Sequence, residues 1–333
     1  AAAAALVAWR GRRLAGALAT LAILAALWSL APLAEWLRLG ALALAGAPMR
    51  APELPGLRAV ALTLLPAIAA GAAWTWAAPA AERSRMVVAG LTAALAGIAL
   101  HVVYRHLFAA LAGTDFAATG VSARAGWEAW LLAAGSLAWC RGWPRVASGF
   151  ALAALAHFGW FALVLHNPLW SAQAVGPLPL ANALLAAYAP GLAALFLLRR
   201  WLPPGPAGWR WAIDAAAMAA IALLALSLLR QTFAGSLLAA GAMTPGEDLL
   251  RSLVGIVLAV GFLLWGARTG ERSWRIGSLA LMVIAVLKVF LVDAAGLAGL
   301  ARIASFMALG FSLIGIGWFY TRQLRPSLSP TSE

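Results

Sequence analysis

Runs of eighteen or more residues without a formal charge recur along the whole chain, among them 14–34 and 86–104. An α-helix needs about that length to cross a hydrocarbon core of about 30 Å. Lipid offers the backbone no hydrogen bonds, so an apolar run of this length can only be a spanning helix. Composition agrees: 64% of residues are hydrophobic and 11% are charged, with a mean hydropathy of +0.90. A soluble domain carries roughly a quarter charged residues. The fold class expected is all-α, a polytopic transmembrane bundle.

Breaking the chain at charged, proline and glycine clusters gives about ten spans, roughly 14–37, 57–79, 86–112, 126–141, 145–169, 179–198, 210–235, 247–268, 273–295 and 299–322. The positive-inside rule orients them. With the N-terminus in the cytoplasm, fifteen arginines fall on inner segments and eight on outer ones, and seven of eleven acids fall outside. Both termini are therefore expected in the cytoplasm, with 326–333 a disordered tail. The net charge of +13 sits in short clusters between apolar runs, which makes it a topology signal rather than a nucleic-acid surface. Cys140 is the one cysteine, so no internal disulfide and no cysteine metal cluster can form.

An internal repeat is also expected. "YRHLFAAL" (104–111) aligns with "LRQTFAGS" (229–236), matching Arg105 to Arg230 and Phe108 to Phe233. At nearly the same offset, "GWEAWLLAAGSLAW" meets "EDLLRSLVGIVLAVGFLLW". Four spans per copy would keep both copies in one orientation, a parallel duplication. The divisions expected are 1–85, two spans from the tail of an earlier copy; 86–209, repeat A; and 210–325, repeat B.

Residues 273–325 hold Lys288, Asp293, Arg302, Ser305, Phe306, Gly310, Gly315, Tyr320 and Arg322. This ordered set resembles the carboxyl end of a family of bacterial membrane proteins known as domain of unknown function 2339. The Arg-x-x-Phe element with a downstream acid resembles the same family, in Arg105, Phe108 and Glu128 and again in Arg230, Phe233 and Glu247. The resemblance is strongest over 273–325 and weaker over 86–272. It implies a helical fold in the bacterial inner (cytoplasmic) membrane and supplies no reaction.

Lys288 is the only lysine and stands inside an apolar run, expected about three residues past the middle of its span. An ammonium that deep costs roughly 2.5–3.5 kcal/mol, so a counter-charge, a ligand or carbonyls must meet it. Asp293 is turned about 140° from it along a helix and is better placed for Arg302. His101 and Arg105 share one helical face. Glu128, Glu247 and Asp248 open helices, where the dipole favours acids, and "TPGED" offers Thr244 as a cap. Pairs Arg105–Glu128 and Arg230–Glu247 would form two related polar pockets.

These residues define the expected ligand site: Lys288, Asp293, Arg302, Arg105, Glu128, Arg230, Glu247 and His101. The reading is a membrane protein that binds or transports a polar or anionic envelope-related ligand through a bundle-interior polar site. A scaffold packing against other envelope membrane proteins is the alternative. An outer-leaflet enzyme using Glu128, Glu247 or Asp248 as base comes third, because short loops leave little room for a donor substrate. Membrane lipids are the expected partners. No cofactor is expected, and His101, His106, His157 and His166 lack metal-ligand spacing.

Overall fold

Helix dominates a computed structural model of the chain, which describes residues 2–77, 83–179, 182–202, 207–290 and 300–324. The chain divides into two compact units, Ala1–Ala123 and Arg124–Glu333.

The first unit opens with α1 (Ala2–Trp28) and α2 (Leu30–Leu44), bent by 51° at Ser29. Pro32 explains the break, since its ring nitrogen cannot donate to the carbonyl four residues back. The Ser29 hydroxyl donates to the Ala26 carbonyl at 2.8 Å at the same place. A short 3₁₀ turn, Ala51–Glu53, leads into α3 (Leu57–Ala77), whose wide π turn over Val60–Leu64 precedes a second proline, Pro66. Next comes α4 (Arg83–Ala112), 30 residues long or about 45 Å. Val60, Leu64, Ala99 and Val102 form the buried contact between α3 and α4. The two helices approach closely at Gly71, where a Cβ would lie 2.2 Å from the Thr92 hydroxyl. The next helix, α5 (Phe116–Cys140), contributes its first two turns to this unit.

The second unit holds the rest of α5 with α6 (Pro144–Leu165), α7 (Ala183–Trp201), α8 (Ala207–Ala234), α9 (Pro245–Thr269), α10 (Arg272–Lys288) and α11 (Leu300–Leu324). Its core is built on alanines: Ala147, Ala151 and Ala154 of α6 meet Ala194, Leu195 and Leu198 of α7. Lipid is as apolar as a side chain, so helices associate through close van der Waals contact, which small residues allow. On α7 the Phe158 ring packs against the backbone itself, and a Cβ on Gly191 would sit 2.3 Å from it.

The α9–α10 pair is an antiparallel hairpin turned at Gly270, whose φ of +74° suits glycine. Its register is fixed by close contacts. Gly266 lies against Trp274 and Arg275, Gly255 against Ala285, and Ser252 against Lys288.

Among the described residues six helices are long and apolar enough to cross a membrane: α3, α4, α6, α7, α8 and α9. The bent α1–α2 pair adds a seventh if it counts as one span. Six to seven apolar spans are thus shown among the described residues, where ten were expected. The first expected span is the one broken at Ser29. The fourth, 126–141, lies in α5, whose N-terminal half carries Arg124 and Glu128 and leaves too short an apolar stretch. The ninth corresponds to α10, and residues 291–295 of that expected span lie outside the described residues. The tenth corresponds to α11, a helix of 25 residues.

Candidate functional site

The charged residues of the second unit gather at the two ends of its helices. At one end, Arg230 closes α8 and Glu247 opens α9. Thr244 caps α9 by accepting from the Glu247 N–H at 3.2 Å, which aims the carboxylate back along the helix start. Arg230 Nη1 donates to Glu247 Oε2 at 2.5 Å, and Arg251, one turn along, donates to Oε1 at 2.8 Å. The other Arg230 nitrogens donate to the carbonyls of Leu238, Ala240 and Gly241 at 2.7–3.0 Å. Glu247 is wholly buried and Arg230 nearly so. Every nitrogen of that guanidinium therefore has an acceptor within the chain.

Lys288 joins the same end. Its ammonium lies 3.0 Å from Asp248 Oδ1 and donates to Ser252 Oγ at 2.8 Å and the Asp248 carbonyl at 3.2 Å. The hairpin register puts Lys288 beside Ser252, and its side chain reaches on toward the first turn of α9. The ammonium thus sits at helix-end level, which corrects the expectation of a mid-span position. Asp293 and the side chain of Arg302 lie outside the described residues.

Beside this cluster is a buried polar layer. Arg124 and Glu128, one turn apart on α5, face the end of α6 and the loop that follows it. Arg124 Nη2 donates to Gln173 Oε1 at 2.5 Å and to the His166 carbonyl at 3.3 Å. Glu128 Oε1 is 2.8 Å from His157 Nδ1. Burial, with Arg124 beside it, holds the His166 imidazole, just past the end of α6, down at about 4. Asn167 donates to the Tyr188 hydroxyl at 3.2 Å. Gln231 of α8 pins the loop by donating to the carbonyls of Gly176 and Leu178, and it accepts from Asn182, the N-cap of α7, at 2.6 Å. Two wholly buried side chains keep an atom without a hydrogen-bond partner: Glu128 Oε2 and Gln173 Nε2.

At the opposite helix ends, Arg199 bridges Asp214 and Glu271, and Ser273 donates to Asp214. This cluster ties α7, α8 and α10 together. Its residues belong to helix ends far apart in sequence, so only the bundle brings them into contact.

The first unit handles its arginines differently. His101 accepts from the Trp36 indole at 3.2 Å. Arg105 donates to the Met49 carbonyl, and His106 lies 3.1 Å from the Pro55 carbonyl. These bonds clamp the loop after α2 onto the end of α4. Arg105 and Glu128 each have a partner within their own unit, Met49 and His157. Between the loop and the start of α5 lies a small open cleft, lined by Arg50, Arg105, Phe108, Thr114 and Phe116 among others, with no carboxylate in its lining. Among the described residues neither Arg50 nor Arg105 takes part in an ion pair, and Arg105 Nε is buried without a hydrogen-bond partner.

Six spanning helices with charge clusters at their ends define an all-α polytopic integral membrane protein in contact with lipid. The chain belongs to the family described as "Predicted membrane protein (DUF2339)", whose model matches residues 1–323. The family relationship therefore covers almost the whole chain, beyond the C-terminal portion that carried the resemblance. No curated protein and no solved structure matches the chain.

Proposed function

We propose that the second unit binds and passes a polar, envelope-related ligand through the buried layer around Glu128, in the inner membrane of a bacterium. The observation that carries this reading is Glu128 Oε2, a buried carboxylate oxygen with no donor, together with the unbonded amide nitrogen of Gln173. An unmet buried polar group costs about 1–3 kcal/mol, so two in one layer favour a ligand that donates to one and accepts from the other. Intramembrane ionisable groups mark polar pathways more often than they add stability. In this reading Glu128 is the ligand-facing acid, and Lys288, Arg230 and Glu247 hold the frame around the layer; Asp293 and Arg302 stay in the proposed ligand set on their residue type alone. The parallel duplication belongs to the same proposal, supported by Arg105 and Arg230, which both sit near the ends of long helices and donate to loop carbonyls.

The scaffold reading draws support from a specific observation too: Arg230 has no nitrogen left for a ligand. Cysteine accessibility separates the two. Cys140 is the lone cysteine and is exposed, so Cys140→Ser gives a clean background for Gln173→Cys. A ligand path predicts that a membrane-impermeant, charged thiol reagent labels Gln173→Cys in intact membranes. A sealed scaffold predicts labelling only after denaturation.

A further inference from the structure

The cleft of the first unit lies outside the layer just proposed and rests on separate observations. Arg83 begins α4, and Arg105 follows it by 22 residues, about 33 Å along the axis. That rise matches the thickness of a hydrocarbon core of about 30 Å. The intervening 86–104 carry no formal charge apart from His101. If Arg83 stands at one interface, Arg105 stands at the other, at the level of lipid phosphates.

Three features there converge. First, Arg105 donates to the Met49 carbonyl and so is held at the cleft by one edge of its fork, while its Nε has no acceptor in the protein. Second, Arg50 lines the same cleft and is exposed, so two cations face one space whose lining holds no acid. Third, Phe108 and Phe116 give the cleft an apolar wall beside those cations, and the Thr114 side chain adds a hydroxyl. Two acids lie close in sequence and outside the lining: Glu53, three residues after Arg50, and Asp115, which accepts from the Ala117 N–H at 3.0 Å at the start of α5. Two guanidiniums suit a phosphate oxygen set better than a single carboxylate, because each fork can give paired N–H donors to separate oxygens. An aromatic wall beside them suits a phosphate that carries a hydrocarbon chain.

We propose that this cleft binds a phosphate-bearing anion, with Arg105 and Arg50 as the two cationic contacts and the phenylalanines against its apolar part. A membrane lipid headgroup and a free phosphate share this chemistry, and the test distinguishes them. Full-length protein is reconstituted into nanodiscs of phosphatidylcholine with or without phosphatidylglycerol, and lipid retained on release is counted by native mass spectrometry. A parallel arm titrates inorganic phosphate into protein in neutral detergent and follows thermal stability.

Wild type is expected to retain phosphatidylglycerol selectively. Arg105→Gln is expected to lower its apparent affinity about tenfold, the size of one lost charge-assisted hydrogen bond. Arg50→Gln, at an exposed position with no ion pair to lose, is expected to cost about threefold. Arg58→Gln, exposed nearby but outside the cleft lining, is expected to behave as wild type. Stabilisation by inorganic phosphate that vanishes in Arg50→Gln, without lipid selectivity, would identify free phosphate as the source of the anion. Retention unchanged in Arg50→Gln, or reduced equally in Arg58→Gln, overturns the proposal. The Arg50 variant decides the matter even if Arg105→Gln fails to fold.

Discussion

Arg105 and Arg230 each stand near the C-terminal end of a long helix, and the protein treats them in opposite ways. In the second unit Arg230 is enclosed: a carboxylate and three carbonyls take all its nitrogens. In the first unit Arg105 has one carbonyl, a buried Nε without a partner, and a second arginine across an acid-free cleft. Burying a guanidinium is tolerable when its charge and every donor are met. The first arrangement therefore reads as framework, and the second leaves room for an anion from outside the protein. A shared Arg-x-x-Phe element does not imply a shared role, because the partners decide it.

The sharpest way to break the comparison is to remove the acid that encloses Arg230. Glu247→Ala strands Arg230 and Arg251 in a buried setting, and the expected loss of stability is about 3–5 kcal/mol. Denaturation in mild detergent, followed by tryptophan fluorescence, would register it. A loss under 1 kcal/mol would show that the cluster is not the frame assigned here. Far smaller is the effect expected at Lys288, whose ammonium and its Asp248 partner are both partly exposed. Lys288→Leu is expected to cost less than about 1 kcal/mol, in line with solvent-reached ion pairs, and to leave insertion intact. A large loss there would return the lysine to the interior of the bundle.

What the sequence revealed and concealed divides along the same line. The Thr244 cap and the Arg230–Glu247 pair lie within one local stretch, "LRQTFAGSLLAAGAMTPGE", and helix-start chemistry was enough to find them. Spanning helices were legible for the same reason, since apolar length is a local property. The partner of Glu128 was not, because His157 lies 29 residues away on another helix. Arg105 binds a backbone carbonyl, and a carbonyl carries no residue-type signal at all. Lys288 was placed too deep because its level depends on the hairpin register, which Gly270 and the glycines facing α10 set together. The Arg199–Asp214–Glu271 cluster joins three segments that only packing brings together. Apolar length alone did not show that the first expected span is broken at Ser29 or that the first half of α5 carries Arg124 and Glu128.

The contrast between the two arginines can be measured side by side, in Arg230→Gln and Arg105→Gln compared in nanodiscs with and without phosphatidylglycerol. Arg230→Gln is expected to lower thermal stability strongly in both lipids and to keep the increment that the anionic lipid adds. Arg105→Gln is expected to lower the baseline less than Arg230→Gln does and to lose that increment. Two variants that behave alike, or an increment that follows Arg230 rather than Arg105, would contradict that contrast.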